Sequence, residues 1–363
     1  MRAAVYHEPG DIRIEDKPEP DVGPGRLLVE VATVGICGTD VGEYIHEPMF
    51  FPIRAPHPAT GKFGPTIPGH EFSGHVLAVG PDVTGFAVGD LITSGSGVSC
   101  GRCAPCRAER TNMCTSYWTV GLHDDGALAD RVAVPASCCF NLAGRPISAD
   151  AAALVQPMSI AMHATRRGRL TEDDVVVVVG TGGIGSFITY AASRRGASVL
   201  AVDLDPDRLE VAQALGATRT LVAERGEDLA TLIGRVTEPP TLVFECTATE
   251  PGLDSAVRVV GDNGRVVVVG HQPRPVTLDM KLVSFGEKEV IGTMAHVFAV
   301  DLPAAVELLE SGGDELARVA PIVHPLEDLL GAGIVPMAER RQRQIKTLFA
   351  PGLDIARPLD LAR

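Results

Sequence analysis

Five consecutive valines, Val175–Val179, run straight into Gly180-Thr181-Gly182-Gly183-Ile184-Gly185, and helical spacing follows from Ile184 to Arg195. An unbroken apolar strand of this kind has no polar face, so it belongs in a sheet covered by helices on both sides. The glycines allow a tight strand-to-helix turn and the close approach of a pyrophosphate to the helix amino terminus. The pattern repeats: Ser198–Val202, Leu242–Cys246 and Arg265–Val269 read as strands, and Pro206–Leu215 reads as a helix. A doubly wound parallel α/β sheet is therefore expected, with Gly180, Thr181, Gly182, Gly183, Ile184 and Gly185 at a dinucleotide. Asp203 ends the next strand 18 residues after Gly185, which suits a hydrogen bond to an unphosphorylated ribose. A carboxylate there repels a 2'-phosphate, so NAD is expected in preference to NADP. Arg208 either stacks near the adenine or lies on a solvated helix face.

The first 150 or so residues have a different texture, rich in Gly, Pro and short β-branched runs such as Leu27–Val34, Glu71–Val79 and Arg131–Val134. These predict a β barrel or sandwich. Residues 44–69 form a proline-rich connection, and connections that long are usually functional when ordered. The segment from about Val297 shows two helix-like stretches and a closing strand, Ile345–Phe349, which pattern alone does not assign to a domain.

Four of the eight cysteines fall at Cys100, Cys103, Cys106 and Cys114, a C-x2-C-x2-C-x7-C spacing. Two-residue gaps let neighbouring thiolates turn onto one ion, and four thiolates close a tetrahedral zinc shell. The bacterial iron–sulfur spacing, which ends C-x3-C-P, is absent. A structural zinc is expected here. A second constellation, Cys37-Gly-Thr39-Asp40 and Gly69-His70-Glu71, places a thiolate, an imidazole and a carboxylate in Gly-flanked turns. Three such donors leave a zinc ion one open position. Taken singly, a Cys or His in a turn is more often structural.

CGTD, GHEFSG, the four-cysteine lobe and VVGTGGIG occur in the order found in the zinc-containing medium-chain alcohol dehydrogenases, which this chain resembles over nearly its whole length. The resemblance implies a GroES-like catalytic domain over 1–153, with a zinc lobe at about 97–116 and completion by 297–363. A Rossmann NAD-binding domain would occupy 154–296. It also implies two zinc ions, one structural and one catalytic. Cys37 and His70 match the catalytic ligands, Thr39 the hydroxyl that accepts the substrate proton, and Asp40 the carboxylate that orients the liganding imidazole. Glu71 matches a carboxylate that is a ligand in the polyol branch.

Two positions depart from the family. Gln156 stands where a Cys or Glu is usual; some sugar dehydrogenases of the family resemble this chain there, and a neutral amide is a poorer zinc donor. Glu71 is therefore expected to be the direct ligand, with Gln156 weak or bound through water. Gly42 stands where many members carry a proton-relaying histidine, so either a water chain or one of His46 and His57 takes that role.

Within the family, Glu43-Tyr44, His57-Pro58 and Thr60-Gly61-Lys62 ahead of GHEFSG are similar to 2,3-butanediol dehydrogenases. A secondary alcohol, such as a small vicinal diol, and its hydroxyketone would then be the substrates, with Phe50, Phe51 and Trp118 either lining the pocket or packing the core. The alternatives are a sugar, polyol or specialised-metabolite alcohol dehydrogenase, and a cofactor-binding protein without redox turnover. A homodimer or homotetramer is the family expectation.

The formal net charge of −14 argues against a nucleic-acid partner, which normally meets a basic face. The amino terminus lacks a signal-like apolar core, and no apolar run is long enough to span a bilayer, so a cytoplasmic protein without a membrane partner is expected.

Overall fold

A computed structural model describes residues 1–361. The chain divides into two compact units, Met1–Ser159 together with the chain from His296 onward, and Ile160–Ala295.

The first unit opens with an antiparallel hairpin, β1 (Arg2–Glu8) and β2 (Asp11–Asp16). Its main sheet is centred on the ten-residue strand β3 (Arg26–Gly35). In β3 the pleat turns Leu27, Val29 and Val31 inward, while Glu30 faces solvent. Strands β4 (Glu71–Val79), β5 (Leu91–Ser94), β8 (Arg131–Pro135) and β9 (Cys139–Asn141) join it, and β6 (Gly97–Val98) and β7 (Trp118–Thr119) form a separate ribbon. The carboxy-terminal strands β16 (Ile322–Pro325), β17 (Leu348–Ala350) and β18 (Arg357–Pro358) complete an eight-stranded sheet in the order β18-β16-β17-β3-β4-β5-β9, with β8 also on β3. The assignment that pattern alone left open is thereby made: Phe349 pairs with Val34, and the returning segment shares the core of the amino-terminal unit.

One local expectation is corrected. Cys37-Gly-Thr-Asp40 is not a free turn but the start of helix α1 (Gly38–Ile45). Cys37 is extended at the N-cap, and Asp40 reaches back to accept the Cys37 amide at 2.8 Å, which satisfies an otherwise orphaned donor. An acidic residue in the first turn also suits the helix dipole. A second difference lies near the carboxy terminus, where Leu329–Ile334 form a widened π turn ahead of a short α-helix, Val335–Ala338.

The second unit is one six-stranded parallel sheet: β10 (Val175–Val179), β11 (Ser198–Asp203), β12 (Arg219–Val222), β13 (Leu242–Glu245), β14 (Arg265–Val268) and β15 (Glu289–Gly292). Its order, β12-β11-β10-β13-β14-β15, reads 3-2-1-4-5-6 within the unit, the Rossmann arrangement. Val176 to Val179 of the valine strand are all buried, as an interior parallel strand requires. Helices between the strands include Gly183–Arg194 and Pro206–Ala214.

Candidate metal centres and cofactor site

Three of the expected donors converge in the first unit. One ligand atom each of Cys37, His70 and Glu71 lies within 4.8 Å of the other two. Cys37 caps α1, whereas His70 and Glu71 lie at the entry to β4, after Gly69 with φ +99°. That turn is tightly backed: the Ala127 amide donates to the Gly69 carbonyl at 2.9 Å, and a Cβ on Gly121 would lie 2.3 Å from the same oxygen. Asp40 spans both donor segments, with one oxygen on the Cys37 amide and the other 3.7 Å from His70 Nδ1. Burial opposes a charged imidazole at His70, but Asp40 and Cys37 outweigh it and raise its pKa well above the usual value. Thr39 lies beside this group, its hydroxyl 3.8 Å from Cys37 Sγ.

Lys346 is the residue that sequence reasoning missed. It is 5% exposed, donates to the Ile36 carbonyl at 2.8 Å, and forms an ion pair with Glu71, itself 1% exposed. Burial pulls the ammonium pKa down, yet Glu71 and Cys37 hold it above the ordinary lysine value. Gly35 makes room for the pair, because a Cβ there would come within 2.7 Å of Glu71 Oε2. The available signal was a lone lysine in Ile345–Phe349, and lysines in strands are usually exposed.

The departures also have places. Gln156 is buried in the first turn of the helix Val155–Arg167. A Cβ on Gly42 would meet nothing within 4 Å, so that position opens onto space water can fill. His57 is engaged elsewhere: its Nδ1 faces the Thr60 amide at 3.3 Å, and its ring packs 4.6 Å from His123. His46 is exposed at the end of α1. Phe51 is a core residue, packed edge-on to Tyr6 at 4.6 Å, whereas Phe50 and Trp118 are half-buried. Trp118 lines a cavity of about 500 Å3 with His57, Arg102 and Tyr117.

In the lobe, the ligand atoms of Cys100, Cys103, Cys106 and Cys114 also lie within 4.8 Å of one another. Amides of Cys100 and Ser116 donate to Cys114 Sγ at 3.2 and 3.3 Å, and backbone donors at Thr115 and Cys106 lower the Cys103 thiol to about 6. Both donor sets fit zinc. Four thiolates make a closed shell, and one thiolate, one imidazole and one carboxylate make an open one.

The glycine turn of the second unit is sterically committed to glycine. Gly180 has φ +91°, and a Cβ on Gly185 would lie 1.9 Å from the Gly180 carbonyl, so neither position accepts a side chain without movement. Gly182 caps the helix that starts with Gly183 and Ile184. Asp203, at the end of β11, accepts from the Thr181 amide at 2.7 Å and its hydroxyl at 3.1 Å. Arg208 lies over the same turn, with Nη1 3.8 Å from a Cβ built on Gly182.

Residues 23–144 match the alcohol dehydrogenase GroES-like domain family, and residues 183–311 match the zinc-binding dehydrogenase family. An (R,R)-butanediol dehydrogenase of Neisseria gonorrhoeae is 30% identical over 97% of this chain and 100% of its own. This chain is a zinc-type medium-chain alcohol dehydrogenase. The dehydrogenase is also 31% identical to a sorbitol dehydrogenase of Bacillus subtilis, over 86% of each chain. The crystal structure of 2R,3R-butanediol dehydrogenase from Bacillus subtilis superposes with a TM-score of 0.88 at 29% identity, covering 97% of this dehydrogenase and 99% of that chain. Among the described residues, no helix is long and apolar enough to cross a membrane.

Proposed function

We propose that this dehydrogenase interconverts a small vicinal diol, such as 2,3-butanediol, with the matching hydroxyketone, using NAD. The observation that carries the reading is the convergence of Cys37, His70 and Glu71 beside Thr39. Cys37, His70 and Glu71 would hold the catalytic zinc, with Gln156 weak or bound through water, and the four lobe cysteines would hold a second, structural ion. Bound at the open site, zinc supplies Lewis acidity that lowers the pKa of an alcohol oxygen. NAD supplies the hydride acceptor. The chain's own residues do the rest. Thr39 takes the substrate hydroxyl proton as it passes its own onward, and water at the open face of Gly42 carries that proton to solvent. Asp40 fixes the ring orientation of His70 and the backbone at Cys37 together. Lys346 pairs with Glu71 and steadies its carboxylate beside Cys37 and His70. Asp203 and Arg208 frame the Gly180–Gly185 turn, and the negative charge at Asp203 favours NAD over NADP.

The butanediol reading follows relatives that act on that diol and the Glu43-Tyr44 and Thr60-Gly61-Lys62 marks. A polyol reading is favoured by the sorbitol dehydrogenase, which is as similar as the butanediol enzymes. Initial rates with (R,R)-2,3-butanediol, sorbitol and erythritol, each with NAD and with NADP, decide between them. The expected result is fastest turnover of butanediol with NAD and two zinc ions per chain. In Cys37→Ser, turnover and one ion should be lost while NADH binding persists. Preference for sorbitol would establish the polyol reading, and preference for NADP would overturn the role given to Asp203.

A further inference from the structure

The second unit buries a carboxylate whose partners, among the described residues, include no cation. Glu245 ends β13 and is 0% exposed. One oxygen accepts from the Thr247 amide at 2.7 Å and from the Thr247 hydroxyl, and the other from the Gln272 side-chain amide at 3.1 Å. Donors on both oxygens match an ionised carboxylate, which offers only acceptors. Burial raises the Glu245 pKa, and hydrogen bonds from Thr247, Ala248 and Gln272 oppose that rise. Burial, and then the charge on Glu245, push the neighbouring Cys246 thiol well above its ordinary value. Partial compensation comes from the positive end of helix Glu250–Val259, roughly half a unit charge. Thr247 Oγ1 meets Thr249 Oγ1 at 2.7 Å, and Thr249 caps that helix by accepting from the Gly252 amide.

Two glycines make room for this carboxylate. A Cβ on Gly252 would lie 3.1 Å from Oε1, and one on Gly270 would lie 3.0 Å from Oε2 and 2.3 Å from the Ala248 amide nitrogen. Ala248 itself takes φ +55°, a conformation that costs a non-glycine residue energy and persists only where its surroundings fix it. The charge is thus held in place, and a buried charge is screened far less than one in water.

Its place in the sheet gives that charge something to act on. The strand order reverses between β10 and β13, and a Rossmann sheet binds a dinucleotide outside the carboxyl ends of its strands at such a point. β10 leads into the Gly180 turn, and Thr247 lies beside that turn, its Cγ2 2.8 Å from a Cβ built on Gly180. With the adenosine half at Asp203, on the β11 side, the nicotinamide half falls toward β13, which Glu245 ends. The nicotinamide ring is cationic when oxidised and neutral when reduced.

We infer that Glu245 sets the balance between the two redox forms of the dinucleotide: its buried carboxylate, paired with no cation, favours the cationic ring of NAD+ over the neutral ring of NADH. The inference rests on the reading of the Gly180–Gly185 turn as an NAD site.

The test measures dissociation constants of NAD+, NADH and ADP-ribose, which lacks the nicotinamide, by titration calorimetry on full-length, zinc-loaded protein. In Glu245→Gln the ratio Kd(NAD+)/Kd(NADH) should rise about tenfold, the scale of losing one unit charge in a partly desolvated site. ADP-ribose should follow NADH, not NAD+. Gln272→Lys pairs the charge instead of removing it and should move the ratio in the same direction. Thr247→Val, which loosens the turn but keeps the charge, should leave the ratio at its wild-type value. An unmoved ratio in Glu245→Gln, or equal loss of all three ligands, would reduce Glu245 to a structural role and overturn the inference. Should Glu245→Gln fail to fold, Gln272→Lys decides, and a wild-type ratio there overturns it. If wild type binds none of the three, the cofactor reading fails and the inference falls with it; binding by wild type with an unmoved ratio in the variants refutes the inference alone.

Discussion

Replacing Lys346 by methionine separates the two partners of Glu71, the lysine and the proposed metal. The substitution keeps an unbranched chain of similar length and removes the charge. Both members of the ion pair are almost fully buried, Lys346 at 5% and Glu71 at 1% exposure. Removing one partner of such a pair leaves an uncompensated buried charge, at a cost of about 3–5 kcal/mol. In protein carrying metal only in the cysteine lobe, Lys346→Met should lose about that much stability. With both ions bound, Glu71 regains a cation and most of the loss should vanish. The cycle then requires tighter binding at the open site: a difference of about 3 kcal/mol is about 100-fold in zinc affinity. Removing a fixed positive charge beside a dication acts in the same direction. The assay is denaturant unfolding of samples counted at one and at two zinc ions per chain, together with chelator competition for the second ion. Equal destabilisation of the two samples, or unchanged or weaker zinc affinity, would refute the reasoning.

Two further outcomes follow from the same unit. Gly121 has φ +77°, and a Cβ there would lie 2.3 Å from the Gly69 carbonyl, so Gly121→Ala should cost about 1–3 kcal/mol from the backbone conformation alone and should displace His70 as well; unfolding measurements that match wild type would contradict this packing. Burial, with His57 adding to it, depresses the His123 pKa from 6.5 to about 4. Its protonation therefore favours the unfolded chain: the stability is fully present above about pH 6.5 and is lost as pH falls through about 4, at most about 3 kcal/mol and less for residual exposure. His123→Asn should flatten the stability profile between pH 7 and 4, and a profile parallel to wild type would count against the assignment.

What could be read from the sequence was what local chemistry dictates. The valine strand and its glycine turn combine a periodicity with a steric need, and Gly185 shows that need directly in its 1.9 Å approach to the Gly180 carbonyl. The cysteine quartet was legible because its spacing already limits where the thiolates can turn. Helix α1 was read as a turn because its amino-terminal half, Gly38-Thr39-Asp40, is made of residues with weak helix propensity. The capping bond from Asp40 and the packing of Val41 and Glu43 override that weakness. Lys346 and Glu245 were illegible for a different reason. A lysine and a glutamate are surface residues by default, and the partners that bury them are either far along the chain or backbone amides that leave no trace in a side-chain pattern.

The proposed ligand set also has a consequence for Gln156. Cys37 as a thiolate and Glu71 carry two negative charges, which a zinc dication balances. Around them, Asp40 and the Lys346 ammonium cancel one another. A glutamate at position 156, buried in the first turn of its helix, would add a further buried negative charge, and such charges are costly unless paired. If Glu71 is the third donor, as proposed, a neutral amide at position 156 adds no charge to that count. Removing the lysine alone leaves a net negative centre that draws the metal in, whereas adding a carboxylate at 156 to that variant would compound the imbalance. On the proposed ligand set, the departure at Gln156 leaves the buried charge to Glu71 and Lys346.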